Sequence, residues 1–324
     1  MNLLNTNNGS YLFDPGNDNL VLKRNGKFSS VYIGYQLPEK NKVVIKVMNP
    51  ALNNDAPSII RFHKEALKSF EHPDLQKTID AYNDETGYYL IKEYIDGQTL
   101  SQIVYQQRIT DIDFYCRVFI KVLKIIEVLN DKEIFHCDIR LENILLLNKQ
   151  GSNETDFDSL QVVLLDLGLA KIPETFNKRE LQPFSFVYSP PEQVLNYGEL
   201  INKTTDQYSV AICMYECITA TKPFMNENPE VVMHLQLNTK LLPHKNIPEP
   251  LFKVLLHATE KEKLPLPPSQ LSEEQLINYL KSGQQKRYES ATAFKHAILN
   301  AMDEMEKQKS TNNTKGFWAK LFGK

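Results

Sequence analysis

The sequence predicts a two-lobed α+β protein. A small β-rich lobe with one main helix spans 1–95 and a larger helical lobe spans 96–302. A polar linker and an amphipathic tip follow over 303–324. Three observations carry this. Short β-rich runs crowd the first hundred residues. After "DGQTL" the apolar residues recur at helical spacing. No 18-residue apolar stretch interrupts either part, so no helix is expected to span a membrane.

In the first lobe, "NLVLKR", "SSVYIGYQ" and "KVVIKVM" read as strands separated by "NGKF" and "LPEKN". The charged run "PSIIRFHKEALKSFE" is the helix. "KTIDAYND" and "YYLIKEYI", joined by "DETG", close the sheet. In the second lobe, Val118, Val122, Ile125, Ile126 and Leu129 recur at the spacing of one helix face. The strands "NILLL" and "QVVLLDL" bracket the polar insert "NKQGSNETDFDS". "TTDQYSVAICMYECIT" is apolar on most faces and predicts a buried helix. "EPLFKVLLHAT" and "SATAFKHAILNAMDEM" predict amphipathic helices, with the proline-rich "LPLPPS" between them as a loop.

The bulk numbers narrow the function classes. The 324 residues are 42% apolar and 24% charged, as expected of a globular chain. Thirty-seven basic and 40 acidic residues give a net charge of −3, which supplies no electrostatic reason to expect nucleic acid as a partner. Four scattered cysteines predict reduced thiols and a cytoplasmic location rather than a disulfide framework. The N-terminus lacks the basic start and apolar run of a signal peptide. Cys213 and Cys217 lie one helical turn apart, but no second Cys/His pair accompanies them, so core packing is the expectation.

The chemistry concentrates in "HCDIRLEN", residues 136–143. Asp138 and Asn143 precede a strand, and Asp166 in "LLDLG" ends another. A carboxylate and an amide at two strand ends suit Mg²⁺, which takes hard oxygen ligands. Asp138 is then placed to accept a proton from an attacking hydroxyl. Upstream, Lys46 ends "VVIK" and Glu65 sits mid-helix; a buried lysine requires a counter-charge, and Glu65 is the natural candidate.

This set resembles the eukaryotic-type protein kinase superfamily over about residues 15–300, and "KRYESATAF" looks most like its bacterial Ser/Thr members. The resemblance implies the two-lobed protein kinase fold, with ATP and two Mg²⁺ in the cleft between lobes. It implies catalytic roles for Lys46, Glu65, Asp138 (the base) and Arg140, and metal ligation by Asn143 and Asp166. It implies cofactor contacts from Gly26, Phe28, Val31, Val44, Lys46, Glu93, Ile95 and Leu145. Glu192 in "YSPPE" is expected to pair with Arg287, and Asp206 to anchor the backbone of the catalytic loop. His136 is expected to pack in the core and hold that loop.

The departures are informative. The glycine-rich loop retains only Gly26, with Arg24 and Ser29 at the other two glycine positions. Glycine lets backbone amides approach phosphates closely, so weakened ATP binding follows. Val44 replaces the usual alanine above the adenine. Lys92 stands at the gatekeeper position, where its stem either snorkels or meets a buried acid. Arg140 replaces the lysine of Ser/Thr kinases, and Ser185 stands near their threonine. Cys137 replaces the arginine that grips activation-loop phosphate, so activation is not expected to depend on that contact.

Residues 307–324 hold five lysines and no acids, with Phe317, Trp318, Leu321 and Phe322 on one helical face. Weak docking of 315–324 to a membrane or a protein is the corresponding expectation. The leading functional reading is an ATP-dependent kinase acting on a protein hydroxyl, Ser/Thr rather than Tyr. A pseudokinase or ATP-binding scaffold is the second, favoured by the glycine-poor loop. A small-molecule kinase is the third, disfavoured by the "PPEQ" segment and the "DQYS" helix.

Overall fold

The computed structural model describes residues 1–23, 28–67, 71–147, 160–171, 185 and 187–322. The chain divides into two compact units. Unit 1 comprises 1–97 and 163–169; unit 2 comprises 98–162 and 170–324. The stretch 163–169 thus packs with the first unit, although it lies far along the sequence.

Unit 1 is built on an antiparallel sheet of β1 (Asn2–Asn5), β2 (Ser10–Phe13), β3 (Val21–Lys23), β4 (Ser29–Leu37), β5 (Asn41–Met48), β6 (Thr78–Asp84) and β7 (Gly87–Glu93). The order is β1-β2-β4-β5-β7-β6, with β3 also on β4. Register decides what each face carries. Val31 pairs with Lys46, Ile33 and Lys92 both pair with Val44, and Leu90 pairs with Lys46. Paired residues share a face and side chains alternate along a strand. Val31, Val44, Lys46, Leu90 and Lys92 therefore lie on one face of the sheet.

The opposite face carries Tyr32, Val43, Ile45, Tyr89 and Ile91, which cluster with Leu4, Tyr11 and Phe13. The last three come from the β1–β2 hairpin, which the sequence reading did not predict. Each strand is only four residues long, but "TNNG" between "NLLN" and "SYLF" is a turn signal. Asp80 ties the turn down, taking the Thr6 hydroxyl and the Asn8 amide, the latter at 3.0 Å. Gly34 is needed where β2 crosses: a Cβ there would lie 2.5 Å from Ile45 Cδ1 and 3.0 Å from the Leu12 carbonyl.

Helix α1 (Ala56–Leu67) packs on the lysine-bearing face. Phe62 clusters with Met48 and Leu90, and Glu65 follows one turn later on the same side. The segment leading to Asp166 joins the unit through its backbone: Leu164 N–H donates to Asp74 O at 2.9 Å, and Gln76 N–H donates to Leu164 O at 3.0 Å.

The boundary between the units falls in β8 (Gly97–Thr99), which leads into α2 (Leu100–Gln102), whose Thr99/Gln102 capping box fixes its start. It continues through α3 (Ile112–Asn130), β9 (Ile144–Leu147), β10 (Val162–Leu164, which leads back to unit 1), α4 (Pro191–Val194) and α5 (Thr205–Thr219). Helices α6 (Pro229–Asn238), α7 (Glu249–Ala258), α8 (Glu273–Gln285) and α9 (Ala291–Phe322) follow. The expected helical face of α3 is buried, and every residue of α5 is buried, as a helix apolar all round requires. Helices α6 and α8 were not predicted; the Ser272/Gln275 capping box was the legible signal for α8. Helix α9 corrects a second point. It runs through 307–315, read from sequence as a linker, because no proline breaks it and Lys, Gln and Asn tolerate helix. No described helix is long and apolar enough to cross a membrane.

Candidate active site

In unit 1 the lysine-bearing face meets two carboxylates. Lys46 Nζ donates to both oxygens of Glu65, at 3.0 and 2.9 Å, and to both oxygens of Asp166, at 2.9 and 3.0 Å. Lys92 adds a second ammonium, in close contact with Glu65 Oε1 and 3.6 Å from Asp166 Oδ1. Burial pulls the Lys46 pKa down, but the attraction of Asp166 and Glu65 outweighs it and the net shift is upward. For Asp166, burial raises the pKa while Lys46 and Lys92 lower it more, holding the carboxyl well below its usual range. Two details of backbone allow this crowding. Asp166 sits at φ 62°, and Gly168 N–H donates to its Oδ1 at 3.2 Å. A Cβ on Gly168 would lie 2.6 Å from Glu65 Oε2, so only glycine fits.

In unit 2 the loop 136–143 is held from beneath. Asp206 on α5 accepts the N–H of His136 through Oδ2 and of Cys137 through Oδ1, both at 2.8 Å. Burial raises the Asp206 pKa, countered by His136 and the two backbone donors. His136 is fully buried and its Nδ1 accepts the Asp138 N–H at 3.3 Å. Cys137 is buried at φ 62°, with its carbonyl taken by Gln193 Nε2 at 2.9 Å. A non-glycine residue in the left-handed region costs about 1–2 kcal/mol. The Asp206 and Gln193 contacts on either side hold it there.

Above this base, Asp138 is oriented at both oxygens. Ser185 Oγ donates to Oδ1 at 3.1 Å and Asn143 Nδ2 donates to Oδ2 at 2.9 Å. Asn143 Nδ2 also reaches the Asp138 carbonyl at 2.9 Å, so the amide nitrogen is spent and, among the described residues, the amide oxygen is left for a ligand. Arg140 donates from Nε to Glu142 at 2.7 Å and from Nη1 to Ser185 at 3.1 Å. A carboxylate with both oxygens fixed and a guanidinium beside it can take a proton and steady an anion.

The protein kinase domain family matches residues 25–299. The chain belongs to that family. It is 27% identical over 228 residues to a probable serine/threonine-protein kinase of Clostridium perfringens, covering 68% of this chain and 32% of that protein. It is 26% identical over 243 residues to the serine/threonine-protein kinase PrkC of Bacillus subtilis, covering 73% and 36%. It is 26% identical over 246 residues to a probable serine/threonine-protein kinase PknB of Lactococcus lactis, covering 73% and 37%. The matched region is thus about a third of each of these longer relatives.

The expected residues of this kinase domain can now be placed. Lys46, Glu65 and Asp166 come together in unit 1; Asp138, Arg140 and Asn143 come together in unit 2, with Ser185. Val31 and Val44 share the Lys46 face, and Val44 is buried. Phe28 accepts the Asn49 N–H through its carbonyl at 2.9 Å. Glu93 donates its N–H to Lys77 O at 3.0 Å and its carbonyl accepts Gln76 Nε2 at 3.1 Å. Ile95 is half-buried just beyond β7, and Leu145 is buried in β9. Gly26 and most of the activation segment lie outside the described residues. Arg287 meets Glu192 fork to fork, at 2.7 and 3.1 Å, with both side chains 1% exposed or less. Cys213 and Cys217 are core residues of α5 whose thiols burial pushes up. Lys92's contact with Glu65 was not legible, because it depends on the β5–β7 register. Nor was Tyr105, whose hydroxyl meets the buried Glu216.

Proposed function

We propose that this chain is an ATP-dependent protein kinase that transfers the γ-phosphate to a serine or threonine hydroxyl of a protein substrate. The observation that carries the reading is Asp138, held at one oxygen by Ser185 and at the other by Asn143. Asp138 accepts the proton of the substrate hydroxyl as that oxygen attacks. Arg140, already hydrogen-bonded to Ser185, steadies the phosphate in transfer. Lys46, held by Glu65, binds the nucleotide phosphates; Val31 and Val44, on the same sheet face, offer apolar contact to the base. Asn143 and Asp166 each carry an oxygen donor of the kind Mg²⁺ takes, and such an ion would offset the charge of the phosphates. Lys46 would have to release at least one Asp166 oxygen for that carboxylate to hold the ion.

Cys137 supports control without an activation-loop phosphate at this site, since a buried thiol cannot grip one. One observation favours a second reading, a nucleotide-binding scaffold: both oxygens of Asp166 are occupied by Lys46. Incubation with labelled ATP and Mg²⁺, followed by phosphoamino-acid analysis, separates the two. Phosphoserine or phosphothreonine should form and fall by about 10²–10⁴-fold in Asp138→Asn. Equal labelling in Asp138→Asn, or none in the wild type, would reject the kinase reading; phosphotyrosine would reject the Ser/Thr assignment.

A further inference from the structure

Lys92 is a charged residue on β7 between Ile91 and Glu93, and its ammonium is buried with 5% of the side chain exposed. The β5–β7 register explains where it points. Val44 faces Lys92 and Lys46 faces Leu90, so the two lysines are diagonal neighbours on one face, within reach of a common partner. That partner is Glu65 on α1, which is 4% exposed. Lys46 divides its ammonium between Glu65 and Asp166, whereas Lys92 is in close contact with Glu65 and stands 3.6 Å from Asp166. Were Lys46 the sole cation here, turning it toward a nucleotide phosphate would leave Glu65 buried and poorly compensated, which is costly.

We propose that Lys92 is a positioning residue: a second cation on Glu65 that keeps α1 docked without nucleotide and frees Lys46 to engage phosphate. The anchor is built into the sheet itself, and needs no signal from the activation segment. This accords with Cys137, which removes the phosphate-gripping arginine from the catalytic loop. The role rests on the reading of Lys46 as the phosphate lysine, but its test contains no nucleotide, so either can fail alone.

The experiment is amide hydrogen exchange on the full chain without nucleotide, read over α1 (56–67), with α3 and α5 as internal controls for folding. In Lys92→Met, α1 should exchange about tenfold faster while the controls are unchanged. Lys92→Arg should restore wild-type protection, which a purely steric role for the lysine stem would not predict. Lys92→Gln, which keeps most of the stem and loses only the charge, should accelerate α1 severalfold and serves if the Met variant does not fold. Lys46→Met should leave α1 within about twofold of wild type, because Lys92 still holds Glu65. Unchanged α1 exchange in folded Lys92→Met or Lys92→Gln would overturn the proposal. So would α1 opening as far in Lys46→Met as in the Lys92 variants. Failure of the wild-type chain to bind ATP in a separate titration, with α1 exchange as expected, would instead count against the kinase reading alone.

Discussion

In unit 1, Lys46, Lys92, Glu65 and Asp166 share partners, so each carboxylate faces two ammonium groups. In unit 2, Arg287 and Glu192 are matched fork to fork and closed off. Thr205 Oγ1 donates to Glu192 at 3.1 Å, and Arg287 Nε donates to Glu260 O at 3.0 Å. Both assemblies are neutral overall; the second is fully buried, whereas in the first the Asp166 side chain is 35% exposed. The first can exchange partners without stranding a charge; the second cannot. The proposed role of the first, admitting phosphate and metal, calls for that exchange, and a joint that must not move is served by the second.

Removing one charge from each assembly tests this difference. Arg287→Met strands the Glu192 carboxylate and should cost about 3–5 kcal/mol in chemical denaturation. Arg287→Met combined with Glu192→Leu should recover much of that loss, as removing both partners of a buried pair is often nearly neutral. Lys46→Met, although its ammonium makes more contacts, should cost only about 1–2 kcal/mol, because Lys92 remains beside both carboxylates. Equal costs in the two single variants would break the comparison.

A smaller effect is expected at the loop 136–143, where the Ser185 hydroxyl links Arg140 and Asp138. Ser185→Ala should lower turnover about tenfold and leave stability within about 0.5 kcal/mol, in steady-state kinetics alongside thermal melts. The smallest effect is in pH. Burial raises the Glu192 pKa, but Arg287 lowers it further, so the folded value lies below the ordinary one. Its contribution to stability is therefore complete above the unfolded glutamate pKa of about 4.3, and is lost as pH falls through the folded value. Glu192→Gln should flatten the melting-temperature profile below that pH; an unaltered slope would show that Arg287 does not hold the carboxylate ionised.

The comparison also explains what was legible. Lys46, Glu65, Asp138, Asn143 and Asp166 could be picked out because residue type and order along the chain carry the motif. Arg287 and Asp206 could be assigned partners because the family resemblance implies them, and the chemistry agrees: a buried carboxylate needs a fork or backbone donors. Lys92 could be flagged as odd but not explained, since its partner follows from cross-strand register and the docking of α1. The β1–β2 hairpin escaped notice because four-residue strands give too short an alternation. Polar α8 escaped because its apolar stripe is thin and its start is marked only by a cap.

The hairpin has a practical consequence. Leu4, Tyr11 and Phe13 keep water from Val43, Ile45 and Ile91, and Asp80 secures the turn between the two strands. Trimming the first fifteen residues would uncover a contiguous oily surface on a sheet whose β2-facing edge had also lost its partner. Such a shortened protein would self-associate in concentrated solution. Size-exclusion chromatography of the trimmed and untrimmed forms across a concentration series would reveal it as a concentration-dependent shift to larger species.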